Sequence, residues 1–163
     1  MKVEQIMSRP AVTCVVSDTA NRAAQLMWEM DIGCVVVLEA DGGKLAGIIT
    51  DRDLCMAAYT RGAALWQIVV GDVMTRSVAV VRQDDRLGMA EALMRSKRVR
   101  RLPVIDAKEK VVGLLSLNDV ARAAQHQRGR RVPDVAGEEV VSTLGAICEP
   151  RRPQELMTQA NGG

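Results

Sequence analysis

The chain has 163 residues, of which 48% are hydrophobic, and a net charge of +2 at neutral pH. This length suits one ordinary domain or two small ones sharing an interface, and a balance so near neutral selects no partner by bulk electrostatics. Phe is absent and the aromatics are Trp28, Tyr59 and Trp66 alone, which argues against base stacking on aromatic platforms; the longest apolar runs are far too short to span a bilayer.

In chain order, the first predicted strand covers residues 11–16. Ser17, Asp18 and Thr19 offer an N-cap to a helix whose apolar face takes Ala20, Ala23, Ala24, Met27 and Met30. Asp31-Ile32-Gly33 ends that helix. Residues 34–38 form a continuous apolar run suited to a strand buried on both faces. Asp41-Gly42-Gly43 is a hairpin turn signal, and residues 45–50 are the return strand. A second helix begins near Asp51 and carries Leu54, Ala57 and Ala58 inward. The join over residues 60–72 is short and contains Trp66, which is expected to be packed.

The order then repeats. A strand is expected at 78–81, a helix after Asp84-Asp85 with Leu87, Ala90 and Met94 inward, paired strands at 102–105 and 111–116, and a helix over 117–125. Residues 128–131 with Pro133 read as a turn. Residues 138–148 place Val140, Val141, Leu144, Ile147 and Cys148 at helical spacing, and the residues beyond Glu149 read as disordered.

The elements repeat because the sequence does. An offset of 67 pairs Met7 with Met74, Arg9 with Arg76, Asp18 with Asp85, Ala23 with Ala90, Leu26-Met27 with Leu93-Met94, and Val37 with Val104. After the loss of one residue, an offset of 66 pairs Gly47 with Gly113 and Asp53 with Asp119. An internal duplication sets the architecture. Each copy reads β-α-β-β-α and is too small to bury a full core alone, so the expected fold is an α/β pair packed as one pseudo-twofold module. The expected division is 1–60, a linker at 61–72, 73–126, and a tail at 127–163 with its short helix near 138–148.

Metal chemistry has poor material. Cys14, Cys34, Cys55 and Cys148 are dispersed, and His126 is the single histidine. No Ser/His/Asp set can be assembled, so no catalytic residue is assigned, and His126 reads as a polar residue at a helix end. The opening MKVEQIMSRP lacks the apolar run of a secretory signal; a reducing, cytoplasmic setting is the expectation.

Two strand-to-helix turns carry the candidate chemistry. The first is Gly47-Ile48-Ile49-Thr50-Asp51-Arg52-Asp53, and the second is Gly113-Leu114-Leu115-Ser116-Leu117-Asn118-Asp119. Each ends a strand on a hydroxyl residue with an aspartate three positions later, at a helix start where free N–H groups suit a phosphate or sugar oxygen. An ionised aspartate accepts only and can take both hydroxyls of a ribose edge. The same residues also spell a capping box, in which hydroxyl and acid satisfy the helix end themselves.

The run from about Val3 to Ala124 resembles a tandem pair of CBS domains, a Bateman module of the stand-alone bacterial type. The resemblance lies in Ile6-Met7-Ser8 and Val73-Met74-Thr75 opening the copies, Arg101-Leu102-Pro103-Val104-Ile105 in the second, and the two turns. It implies a regulatory module with no catalysis and no required cofactor, binding adenosine compounds (AMP, ADP or ATP; S-adenosylmethionine, NAD or a cyclic dinucleotide in some members) in two clefts between the repeats. On that resemblance Asp53 and Asp119 hold ribose hydroxyls, and Thr50 and Ser116 contact ribose or phosphate. Ser8 and Thr75 line the clefts, the backbone near Thr13 and Val80 reads adenine, and Ile32 and Val99 pack on its face. Arg100 and Arg101 lie where phosphate contacts are expected. The first copy has Gly33 and Cys34 at those two positions, so it is expected to lack that cation and the two clefts to be inequivalent. The resemblance also implies a homodimer, with two modules forming a flat disc, and an unidentified regulated protein as partner. Two other readings stand beside it: a scaffold with empty clefts, and a nucleic-acid binder using Arg95, Lys97, Arg98, Arg100, Arg101 and Arg128 to Arg131, which the small net charge and missing aromatics disfavour.

Overall fold

The structure, a computed structural model, describes residues 1–41, 43–127 and 136–150. The predicted turn at 128–131 and the tail beyond residue 150 lie outside them. Each repeat builds one three-stranded sheet with two helices. The first contains β1 (Thr13–Val15), α1 (Ala20–Glu29), β2 (Cys34–Leu38), β3 (Leu45–Thr50) and α2 (Asp51–Arg61). The second contains β4 (Val81–Arg82), α3 (Leu87–Lys97), β5 (Arg101–Ile105), β6 (Val111–Ser116) and α4 (Leu117–His126), and α5 (Gly137–Cys148) follows. In both sheets the middle strand pairs parallel with the first and antiparallel with the third. No helix of the described residues is long and apolar enough to cross a membrane.

Local chemistry explains the shared outline. Thr19 caps α1 by accepting from the Arg22 N–H at 3.4 Å. Asp18 and Asp85 close equivalent turns, taking the N–H of Val15 at 2.9 Å and of Arg82 at 2.8 Å. Arg9 and Arg76 tie equivalent carbonyls, those of Glu4 and of Gly71. After α1 and α3 the chain turns through positive φ at equivalent residues, 52° at both Asp31 and Arg98. These repeated polar residues therefore serve the backbone.

Four expectations change. The strand expected at 78–81 is reduced to Val81–Arg82, because the Val78 N–H is taken by the Arg76 carbonyl at 3.0 Å in a tight turn. Met30 lies beyond the last inward turn of α1 and is exposed. Trp66 is exposed as well; Ile68, with Ala63 and Leu65, packs the join in its place. In α5 the inward residues are Val140, Thr143 and Ile147, at positions three and seven apart, while Val141, Leu144 and Cys148 face out.

The repeats interlock by exchanging their opening segments. Val3 and Met7 belong to the core under the second sheet, whereas Ile68, Val70 and Met74 belong to the core under the first. Ser8 pairs with Leu114 of β6, and Thr75 pairs with Ile48 of β3. The backbones approach so closely there that only glycine fits opposite. A Cβ on Gly113 would lie 2.7 Å from the Ser8 carbonyl oxygen, and one on Gly47 would lie 2.5 Å from that of Thr75.

The helix α5 lies across α3 and α4. Arg95 Nη1 donates to Thr143 Oγ1 at 2.8 Å, and the Thr143 side chain is fully buried. Beneath the helix, Glu91 is buried and, among the described residues, its Oε1 has no hydrogen-bond partner. Burial and then the nearby Glu139 raise the Glu91 pKa above its ordinary 4.5, with Arg95 opposing.

Two stability predictions follow from this packing. Gly113→Ala should cost about 1–3 kcal/mol through overpacking, whereas Gly145→Ala, mid-helix with nothing within 4 Å of a new Cβ, should gain about 0.5–1 kcal/mol; urea unfolding of both variants measures the difference. A carboxyl whose folded pKa is raised contributes stability at acid pH and loses it as pH rises through the folded value. Glu91→Gln should therefore melt above the parent at pH 7, and the gap should close as pH falls toward 4.5; melting curves across that range read it directly.

Candidate functional site

The two turns adopt the same geometry. β3 ends on Thr50, whose extended backbone makes it the N-cap of α2, and β6 ends on Ser116, the N-cap of α4. The Asp53 N–H donates to Thr50 Oγ1 at 3.2 Å, and the Asp119 N–H donates to Ser116 Oγ at 3.2 Å. In return Asp53 Oδ2 accepts from the Thr50 N–H at 2.9 Å and its hydroxyl at 2.8 Å. Asp119 Oδ2 accepts from the Ser116 N–H at 2.8 Å and its hydroxyl at 2.6 Å. Both capping boxes are thus formed, and each uses one carboxylate oxygen.

The second oxygens differ. Among the described residues Asp53 Oδ1 has no hydrogen-bond partner. Asp119 Oδ1 accepts from Ser8 Oγ at 3.5 Å and pairs with the Arg122 guanidinium. Asp119 is 4% exposed and sits at the edge of a cleft of about 390 Å³ lined by Met1, Ile6, Asp119, Arg122, Ala123, His126 and Gln127. The opening segment of the first repeat thus forms one wall, and α4 forms the other. His126 Nδ1 lies 2.7 Å from the Arg122 carbonyl oxygen, which ties the ring along α4.

The other expected residues fall around these turns. Thr75 exchanges backbone hydrogen bonds with Ile48, two residues before Thr50. Thr13 pairs with Val36 in the first sheet, and Val80 directly precedes β4. Ile32 and Val99 are half-buried at the ends of α1 and α3, where their N–H groups return to Met27 and Met94. Arg100 is exposed, and its carbonyl accepts from Leu117 at the start of α4. No hydrogen bond or ion pair joins Thr13, Val80, Ile32 or Val99 to either aspartate among the described residues.

The first repeat has Gly33 and Cys34 where the second has Arg100 and Arg101, yet Arg101 lies beside the first repeat's turn. Its Nη2 would lie 3.2 Å from a Cβ built on Gly33, at the same distance as Asp51 Oδ2. Arg101 therefore crosses from the second repeat to the helix start of the first. Burial pushes the neighbouring Cys34 thiol up, Arg101 opposes that shift and Asp51 adds to it. The charge absent from the first repeat's own sequence is supplied in space, because equivalent residues of the two repeats face each other across the pseudo-twofold.

Arg122, Ala123 and His126 were not singled out for the cleft by sequence reasoning. Their signal was present: counted from Asp119, positions three, four and seven share one face of a helix. Among the described residues no group of three or more His, Cys, Asp or Glu side chains is gathered for a metal.

Comparison with known proteins agrees with this architecture. The CBS domain family matches residues 3–59 and 70–126. The chain is 31% identical over 140 residues to the YlbB protein of Bacillus subtilis strain 168, covering 83% of this chain and 91% of that one. The first curated relatives it matches are covered over 56–91% of their length. Among solved structures, CBSX2 in complex with AMP is 30% identical with a TM-score of 0.66, covering 77% of this chain and 96% of its own. The CBS domain pair of MJ0100 in complex with 5-methylthioadenosine and S-adenosyl-L-methionine is 25% identical with a TM-score of 0.68, covering 78% and 98%. With both repeats matched and the interlocked sheets in place, the chain belongs to the CBS-domain family as a tandem pair.

Proposed function

We propose that the chain is a regulatory module that senses an adenosine-containing ligand and signals its occupancy to a partner protein, without catalysis of its own. The observation that carries this reading is the Asp119 carboxylate. One oxygen is committed to the helix cap, and the other faces a cleft of about 390 Å³ beside a hydroxyl and a guanidinium. A ribose edge would take the place of Arg122 and Ser8 on Oδ1, and the freed Arg122 would then stand beside the ligand, where a phosphate suits it. The Asp53 turn would use its open Oδ1, with Arg101 as the neighbouring cation. Solved relatives in complex with AMP, and with 5-methylthioadenosine and S-adenosyl-L-methionine, support an adenosine compound as the ligand class. Ser8, Thr75, Thr13, Val80, Ile32, Val99 and Arg100 keep their expected roles within this proposal. Signalling requires that the ligand favour one arrangement of the module over another.

A thermal-shift panel of AMP, ADP, ATP, S-adenosylmethionine and NAD tests the reading. A ligand at about a hundredfold excess over its Kd adds about 2.7 kcal/mol, which for a chain of this size raises Tm by about 5–11 °C. No shift with any member would leave a scaffold with empty clefts. Asp119→Ala should weaken the active ligand by about 1.5–3 kcal/mol, the worth of hydrogen bonds to a charged group, and should lower stability by about 1 kcal/mol through the lost cap. If calorimetric titration finds the melting lowered but the affinity unchanged, the aspartate serves the helix alone.

A further inference from the structure

The helix α5 is held to the second repeat by few side chains. Thr143 is its one buried residue, and Val140 and Ile147 are half-buried beside it. What it covers opposes the contact. Glu91 of α3 is 3% exposed, and among the described residues its Oε1 accepts no hydrogen bond. An ionised carboxylate held there has lost its water and gained no partner in exchange. A protonated carboxyl is neutral and is buried at much lower cost.

The pseudo-twofold separates the acid from the needs of the fold. The first repeat has Ala24 at the position of Glu91, half-buried against its own core. Among the described residues that repeat has no counterpart of α5. The buried acid and the covering helix thus occur together, in the second repeat alone.

The charges around Glu91 act in the same direction. From α5 comes Glu139, with Glu138 one position away in the same first turn. Arg95, on the same helix as Glu91, opposes them, but its Nη1 is given to Thr143 Oγ1 at 2.8 Å. The charged and titratable residues of α4, namely Asp119, Arg122 and His126, line the cleft. The residues that α4 and β5 add to the core of this repeat, such as Val120, Ala124 and Leu102, are apolar.

We propose that α5 is a proton-gated cover, docked on α3 and α4 while Glu91 is protonated and released when Glu91 ionises against Glu139. Release returns water to the carboxylate, parts it from Glu139 and bares the α3–α4 layer. Released, Glu91 is an ordinary exposed glutamate; docked, its pKa is raised, by burial first and by Glu139 second. The docked form therefore binds the proton more tightly. Docking is strongest at acid pH and weakens as pH rises from the exposed value to the docked one, by about tenfold per pH unit across that window. The inference is independent of the ligand, because it stands on the contact between α5 and α3.

Hydrogen exchange of the full chain at pH 5 and pH 8, corrected for the intrinsic pH dependence of amide exchange, tests it, since exchange reports local opening element by element. The expected result is a segment 137–148 that is protected at pH 5 and loses protection several-fold at pH 8, while β5 and β6 keep theirs. Glu91→Gln keeps the shape and removes the charge, so the segment should stay protected at both pH values. Glu139→Gln should reduce the loss. A parent with equal protection of the segment at both pH values, or a Glu91→Gln variant that still loosens with rising pH, would overturn the proposal. So would a Glu139→Gln variant that matches the parent, or β5 and β6 loosening together with α5, in which case the whole repeat opens rather than its cover.

Discussion

The structure depends on two crossings where one repeat lays its opening segment against the glycine of the other's last strand. Ser8 on β6 at Gly113 and Thr75 on β3 at Gly47 are the same contact made twice. Neither repeat can close its core without it, since Met7 and Met74 are the residues that follow the crossing segments inward. The contact also builds the candidate site. It brings the Ser8 hydroxyl, from one end of the chain, to the Asp119 carboxylate at the start of α4, 111 positions away in sequence. The stability of the module and the geometry of the cleft therefore share one cause.

Duplication delivers two similar turns, and later divergence makes them different. The capping boxes are alike to within about a tenth of an ångström in their cross-hydrogen bonds to the backbone. What differs is the side chain placed beyond them. Asp119 faces Arg122 from its own helix, whereas the equivalent of Arg122 in the first repeat is Met56, and the cation near that turn is Arg101 from the other repeat. The inequivalence expected from Gly33 and Cys34 takes this form: each turn has a cation nearby, reached by a different route. The same divergence extends to the outer layers, where Arg95 anchors α5 and Trp28 stands bare.

Much of the local structure was legible. Residues 34–38, 45–50 and 111–116 are strands at the bounds read from sequence, because the first is a continuous apolar run and the other two are apolar stretches that end on the helix-capping Thr50 and Ser116. The helix starts at Asp51 and Leu117 were legible for the same reason: hydroxyl and aspartate at three-residue spacing have one common use. Periodicity states that a residue is buried but not against what. It therefore did not reveal that Met7 and Met74 exchange cores, or that Arg101 crosses to Gly33. Trp66 and Met30 were read as inward from their apolar character, and both are exposed while their neighbours Ile68 and Met27 fill the core. Arg98 ends α3 in a left-handed conformation without being Gly or Asn, a stop that composition does not announce.

The central claim is that Asp119 Oδ1, the oxygen the helix cap does not use, is kept for a sugar. Its most direct test is a crystal structure of the chain grown with AMP. The predicted result places both ribose hydroxyls within hydrogen-bond distance of the Asp119 carboxylate, with Arg122 turned away from Oδ1 and the cap to Ser116 intact. A cleft that stays empty at saturating AMP while Arg122 remains on Oδ1, or a nucleotide bound away from both helix starts, would contradict it.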